Sequence, residues 1–259
     1  MKLVFLGSSE AFHDTKANVS MVVLSDRNIL VDCGYNVPQK VWQSYPDKDF
    51  LDAVFISHFH ADHVSGLPIL IMRMRQDKRT KPLTLIGPEG FEKSFKELYE
   101  LVYRGFFQAS GFPINFIEVK GGSRILLGKT ELLFADANHL VGTQYFVPTA
   151  AIRINSGSSS ICYSSDTVYT DRITNLAKGC DILIHDSYMP ADSEYHKRMP
   201  AHSSPKDAGK AARLAGAGKL VLFNINRKFD KDIESILKEA RQEFKGKIII
   251  PDEGQSFDI

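Results

Sequence analysis

His58-Phe59-His60-Ala61-Asp62-His63 sets three imidazoles and a carboxylate in six consecutive positions of a 259-residue chain that holds eight histidines. Imidazole nitrogens and carboxylate oxygens are the ligands of zinc-like cations, so this density reads as a metal site. The run before it, Asp52-Ala53-Val54-Phe55-Ile56-Ser57, is short, apolar and β-branched, which predicts a buried strand delivering the stretch at its carboxyl end. Side chains alternate along an extended chain, so His58 and His60 project to one side and can share one cation. Asp62 and His63 fall where the chain turns into a helix, within reach of a second. The pattern implies a two-metal centre. The competing reading, histidines scattered on a solvated loop, suits one histidine and not this many together.

Outward from that stretch, 43% apolar and 24% charged residues make an ordinary globular composition able to bury a sizeable core. At this length α/β and sandwich folds are commonly undivided, so residues 1–259 are expected to form one domain. A formal net charge of +1 supplies no global field for nucleic acid. The densest basic run, Arg73, Arg75, Lys78, Arg79 and Lys81, reads as a solvated helix end. The apolar run Leu3–Leu6 is too short for a secretory signal core, and nothing reaches membrane-spanning length. Cys33, Cys162 and Cys180 are too few and too isolated for a disulfide framework or a thiolate cluster. A cytoplasmic protein without a membrane partner is the expectation.

Strands are expected at residues 2–6, 19–24 and 29–31, helices at 38–45, 66–75 and 88–104, and a strand at 82–86 between the last two. Phe91, Phe95, Leu98, Leu101 and Val102 are expected to share one buried stripe. Tyr103, Phe106, Phe107 and Phe112 have no clean period and suit core packing, a pocket wall or the face of a homodimer. Further strands are expected at 114–119, 124–127, 131–135, 148–154, 160–163, 181–184, 219–223 and 247–250, with helices at 172–177 and 231–244. Ser204 is a plausible N-cap, Pro205 an N1 residue and Asp207 a first-turn acid, so a helix should begin immediately after His202. Such a helix start favours anions, which suits a phosphate-bearing substrate.

The H-x-H-x-D-H signature, with Leu30-Val31-Asp32-Cys33-Gly34 upstream, resembles the metallo-β-lactamase superfamily and particularly its RNase Z-like branch of phosphodiesterases. The resemblance covers most of the chain. It implies an α/β (α+β) class fold, a four-layer αββα sandwich with the metals at the mouth between its two sheets. It places Gly7-Ser8-Ser9 near that mouth and makes Asp32 a group that steadies the histidines, although a strand-end Asp in a turn explains that residue too. It puts His58, His60 and His139 on one metal, Asp62 and His63 on the other, and Asp166, within Ser164-Ser165-Asp166-Thr167, between them. Asp186 stands where the family has Glu, beside His202. Asp62, His202 and Asp186 are then the catalytic groups, with His202 as proton donor. Two divalent ions can hold a bridging hydroxide as nucleophile; zinc suits the ligands, as do manganese and iron.

Two departures bear on function. Asn224 stands where the family pattern has a final metal histidine, so the second site is expected to be weak or completed by another group. Only 26 residues intervene between His139 and Asp166, leaving no room for the family's tRNA-gripping arm, so tRNA is not the expected substrate. The reading is a metal-dependent hydrolase, a phosphodiesterase on a small phosphate ester. The alternatives are a carboxyl-ester, lactone or sulfate-ester hydrolase on the same fold, and a non-catalytic metal-binding protein with a degenerate second site.

Overall fold

The layering follows from residue alternation. The computed structural model describes residues 1–106, 111–194, 201–229 and 231–259. In β1 (Lys2–Gly7), β2 (Ser20–Leu24), β3 (Ile29–Val31) and β4 (Ala53–Phe55), one parity of side chain, including Phe5, Met21, Val31 and Phe55, enters a central cluster. The other parity, including Leu6, Val22, Leu30 and Val54, enters an outer one. Strands with both faces buried need cover on both. The outer cover here is α1 (Val37–Ser44), α3 (Leu67–Gln76) and α4 (Phe91–Val102), with the one-turn α2 (Ala61–Val64) between strand and helix.

The second sheet repeats the scheme with β7 (Arg124–Leu127), β8 (Thr130–Asp136), β9 (Ala150–Ser156), β10 (Ser159–Tyr163), β11 (Ile182–Asp186), β12 (Lys219–Phe223) and β13 (Lys247–Ile249). Phe134, Ile152, Ile184 and Val221 complete the central cluster from this side. Each such fully buried side chain contributes about 1.5–3 kcal/mol gross. Outside lie α5 (Asp171–Leu176), α6 (Pro205–Ala215) and α7 (Ile233–Glu243). The alanines of α6 let it lie close, and at Gly209 an added Cβ would meet the Ala240 carbonyl at 2.5 Å, so only glycine admits this approach to α7. The result is the expected αββα sandwich.

The sheets run β14-β1-β2-β3-β4-β5-β6 and β13-β12-β11-β10-β9-β8-β7, where β5 is Leu83–Pro88, β6 is Ile114–Val119 and β14 is Ser256–Asp258. In the first, pairing is antiparallel through β3 and parallel from β3 to β6. Read from β7, the second has the same sequence of senses, antiparallel through β10 and parallel from β10 to β13. No repeat is visible in the sequence, yet the two halves share one plan.

Three expectations need correction. On α4, Phe91, Phe95 and Tyr99 form the buried line, while Leu101 is 83% exposed and Val102 half exposed, because steps of four rather than three hold this helix to the sheet. Within the basic run Arg79 is buried, donating to the carbonyls of Lys48, Leu51, Lys81 and Pro82. It is a structural clamp rather than part of a solvated helix end. The short β14 was not expected, having one large apolar residue. In the aromatic cluster Phe112 is buried and Phe106 exposed, while Phe107 lies outside the described residues. Among the described residues no helix is long and apolar enough to cross a membrane.

Candidate metal centre

One end of the sandwich collects the chemistry, because β3, β4, β8, β10, β11 and β12 each finish there and run into a turn carrying a polar residue. Asp32 follows β3 with φ +58°, a left-handed conformation that turns its carboxylate inward. Fully buried, it accepts from Ser57 N at 2.7 Å, Ser57 Oγ at 2.9 Å and Tyr163 Oη at 2.7 Å. Its fourth partner is His63 Nδ1 at 2.8 Å. That bond fixes the imidazole and aims Nε2 at Asp62 Oδ2, 3.3 Å away, and at Asp166 Oδ1, 3.6 Å away.

The β4 turn supplies His58 and His60, whose Nε2 and Nδ1 lie 3.0 Å apart. His139, past the end of β8, donates from Nδ1 to the Ala201 carbonyl at 2.9 Å. Its Nε2 is thereby left facing His60 Nδ1 at 3.3 Å. Burial holds His58 well below the usual imidazole range and lowers His60 and His139, so all three are neutral near pH 7 with lone pairs to offer. His63 behaves oppositely. Against burial, Asp62, Asp166 and Asp32 hold it well above the usual range.

Across the mouth, Asp186 at the end of β11 accepts from His202 Nδ1 at 2.9 Å and Thr167 N at 3.0 Å. Burial opposes a charge on His202, but Asp186, by charge and hydrogen bond, with Asp166 and Asp62, pushes its pKa up to about 9. The Tyr188 ring stacks on it with centroids 4.4 Å apart. The helix beyond starts with the capping box Ser204–Asp207. Asn224, past β12, donates from Nδ2 to Asp166 Oδ1 at 3.1 Å and Asp186 Oδ1 at 3.3 Å.

These groups suit divalent cations. Ligand atoms of His58, His60 and His139 lie within 4.8 Å of one another, as do those of His58, His63 and Asp166, and those of His139, Asp166 and His202. Among the described residues His63 Nε2 is buried without a hydrogen-bond partner, between two carboxylates that favour positive charge at that point. All nine residues singled out from the sequence, His58, His60, Asp62, His63, His139, Asp166, Asp186, His202 and Asn224, therefore meet. They surround or underlie a cavity of about 510 Å³. Its walls also include Glu10, Phe12, Tyr35, Tyr145 and Tyr188, which sequence reading missed, as it missed Tyr163 behind Asp32. The only signal was the Gly7-Ser8-Ser9 turn, which does lead into this wall.

A family model described as "Anti-Pycsar protein Apyc1" matches residues 1–202. Ribonuclease Z of Methanothermobacter thermautotrophicus is 26% identical, over 94% of this chain and 92% of its own length. The metallo-β-lactamase fold protein YhfI from Bacillus subtilis superposes with a TM-score of 0.82 at 26% identity, covering 99% of this chain and 98% of YhfI. Human tRNase Z, short form, has the same fold, with a TM-score of 0.79 at 20% identity, covering 100% of this chain and 99% of that one.

Proposed function

The chain belongs to the Anti-Pycsar protein Apyc1 family, and from that premise we propose that it is a metal-dependent phosphodiesterase acting on a small phosphodiester. The observation that carries this reading is the convergence of neutral His58, His60 and His139, of His63 with Asp62 and Asp166, and of a charged His202 on one cavity. His58, His60, His139 and Asp166 would hold one ion, and Asp62, His63 and Asp166 a second, with zinc, manganese and iron all suited. Bound ions would offset charge on the phosphoryl oxygens and activate water.

The side chains supply the rest. Asp186 keeps His202 protonated and pinned at Nδ1, so Nε2 is the atom that hands a proton to the leaving oxygen. Asp62, in the same cavity, would take up a proton. The hydrogen bonds of Asp32 keep His63 from turning, and Tyr163 ties that carboxylate to the second sheet. Asn224, as a neutral donor to both Asp166 and Asp186, bridges the two carboxylates without adding charge; it leaves the second site with fewer anionic or imidazole ligands than the first. The cavity has the size of a small-molecule site. With no tRNA-gripping arm between His139 and Asp166, a small substrate is favoured over tRNA.

The test is a panel run on zinc- or manganese-loaded protein: bis(p-nitrophenyl) phosphate, p-nitrophenyl phosphate, p-nitrophenyl acetate, a lactone and an aryl sulfate. Stoichiometric metal and a diester rate at least about tenfold above the others, abolished by chelator, are expected; tenfold corresponds to only about 1.4 kcal/mol of transition-state preference. Faster turnover of the carboxyl ester or lactone would replace the reading, and failure to bind metal would remove it.

A further inference from the structure

One ionisable side chain in the cavity wall has no part in that chemistry. Glu10 follows β1 by three residues and is 1% exposed. Its Oε2 accepts the Phe12 N–H at 2.9 Å, which fixes the carboxylate. Its Oε1 is buried and has no hydrogen-bond partner among the described residues. The backbone carbonyl of Glu10 is itself held, 3.4 Å from Asn18 Nδ2, so the residue is anchored at both ends. Leaving a buried acceptor unmade costs roughly 1–3 kcal/mol, and more for a charged one. A fixed carboxylate in a ligand cavity with one oxygen unsatisfied is therefore a place where a ligand's donor is missing.

A carboxylate accepts and does not donate, and it repels other anions. The phosphoryl group of a substrate is thus directed to the histidine wall, and the group that meets Glu10 must be neutral or cationic with an N–H or O–H. Resting on the phosphodiesterase reading, we propose that Glu10 is a specificity-determining residue whose Oε1 accepts a hydrogen bond from a hydroxyl or amino group elsewhere on the phosphodiester. A diester without such a donor gains nothing there.

The variant Glu10→Gln tests this, because its amide oxygen can still accept from Phe12 N while its NH₂ presents a donor where the substrate needs an acceptor. Two diesters are compared on metal-loaded protein: the p-nitrophenyl ester of thymidine 5′-phosphate, which carries a hydroxyl and an imide N–H, and bis(p-nitrophenyl) phosphate, which carries neither. The ratio of their kcat/KM values should fall roughly 10–100-fold from wild type to Glu10→Gln. Calorimetric titration with thymidine 5′-monophosphate and phenyl phosphate reads the same contrast without turnover. If wild type cleaves neither diester, the phosphodiesterase reading fails, while the binding contrast still decides the role of Glu10. Glu10→Asp, which retracts the charge, should lose the same preference and serves if the glutamine variant does not fold. An unchanged ratio in both turnover and binding overturns the proposal, as does an equal loss on both ligands, which would mark Glu10 as a support for the Phe12 turn.

Discussion

Among the described residues, five non-glycines have left-handed backbone, and four of them, Asp32, Leu140, Ser165 and Asn224, stand in turns at the mouth. For ordinary residues this conformation costs about 1–2 kcal/mol, and strain of this kind is tolerated where surroundings over-determine it. Ser165, at φ +56°, also carries a buried Oγ without a partner among the described residues. Ser165→Gly should therefore stabilise metal-free protein by roughly 0.5–1 kcal/mol, read as a higher urea midpoint; a lower midpoint would show that the hydroxyl is needed. His202 offers a second check. Its pKa of about 9 lies above the usual value near 6.5, so the stability its charge contributes is fully present below pH 6.5 and is lost as pH rises through 9. The stability gap between metal-free wild type and His202→Gln should narrow over that window, and turnover of a poor-leaving-group diester by His202→Ala should fall about 10²–10⁴-fold with metal content kept. A pH-independent gap would separate His202 from Asp186. Both histidines and carboxylates were legible because a metal site concentrates rare side chains in the sequence. Glu10 and Tyr163 were not, since their roles rest on neighbours such as Phe12 N and Asp32, and Asp32 lies 131 residues away from Tyr163.

At the scale of elements, Arg79 joins the segment before β4 to the segment before β5 through four backbone carbonyls, at the end of those strands opposite the histidines. Removing the guanidinium leaves buried acceptors unmet, so Arg79→Met should cost roughly 3–5 kcal/mol in denaturant unfolding while leaving metal stoichiometry intact. A loss under 1 kcal/mol would mean that water replaces it. Lysine would not rescue the loss, having no planar fork to reach several carbonyls. This clamp was misread from sequence because a basic run near a helix end is commonly solvated, and only tertiary structure shows which member turns inward. The α6 start was legible from Ser204, Pro205 and Asp207, since capping is local chemistry. β14 was not legible, because an edge strand with Phe257 as its one large apolar residue is specified by its partner β1 rather than by its own pattern.

At the scale of the whole molecule, the candidate ligands come from both sheets, His58, His60 and His63 from the first and His139 and Asp166 from the second, over a core to which both contribute. Cations held there tie the two sheets together. Chelation should lower the melting temperature, with about 2.7 kcal/mol at stake when free metal is 100-fold above Kd, and a single calorimetric transition would support our proposal that residues 1–259 fold as one domain. Because His63 is held above its usual pKa in metal-free protein, metal uptake should also release a proton and tighten as pH rises, measured from calorimetric heats in buffers of different ionisation enthalpy. Uptake without proton release would remove His63 from the ligand set. The shared strand plan of the two sheets has a consequence of another kind. Laid over each other by strand register, β14-β1-β2-β3-β4-β5-β6 and β7-β8-β9-β10-β11-β12-β13 bring Asp32 onto Ser164, Ser57 onto Asp186 and the turn of Glu10 onto that of His139. Duplication and fusion of a half-length gene produce such a molecule. Divergence would then have given His58, His60 and His63 to one copy and the carboxylate pair Asp166 and Asp186 to the other, turning a symmetric ancestral cleft into an asymmetric one.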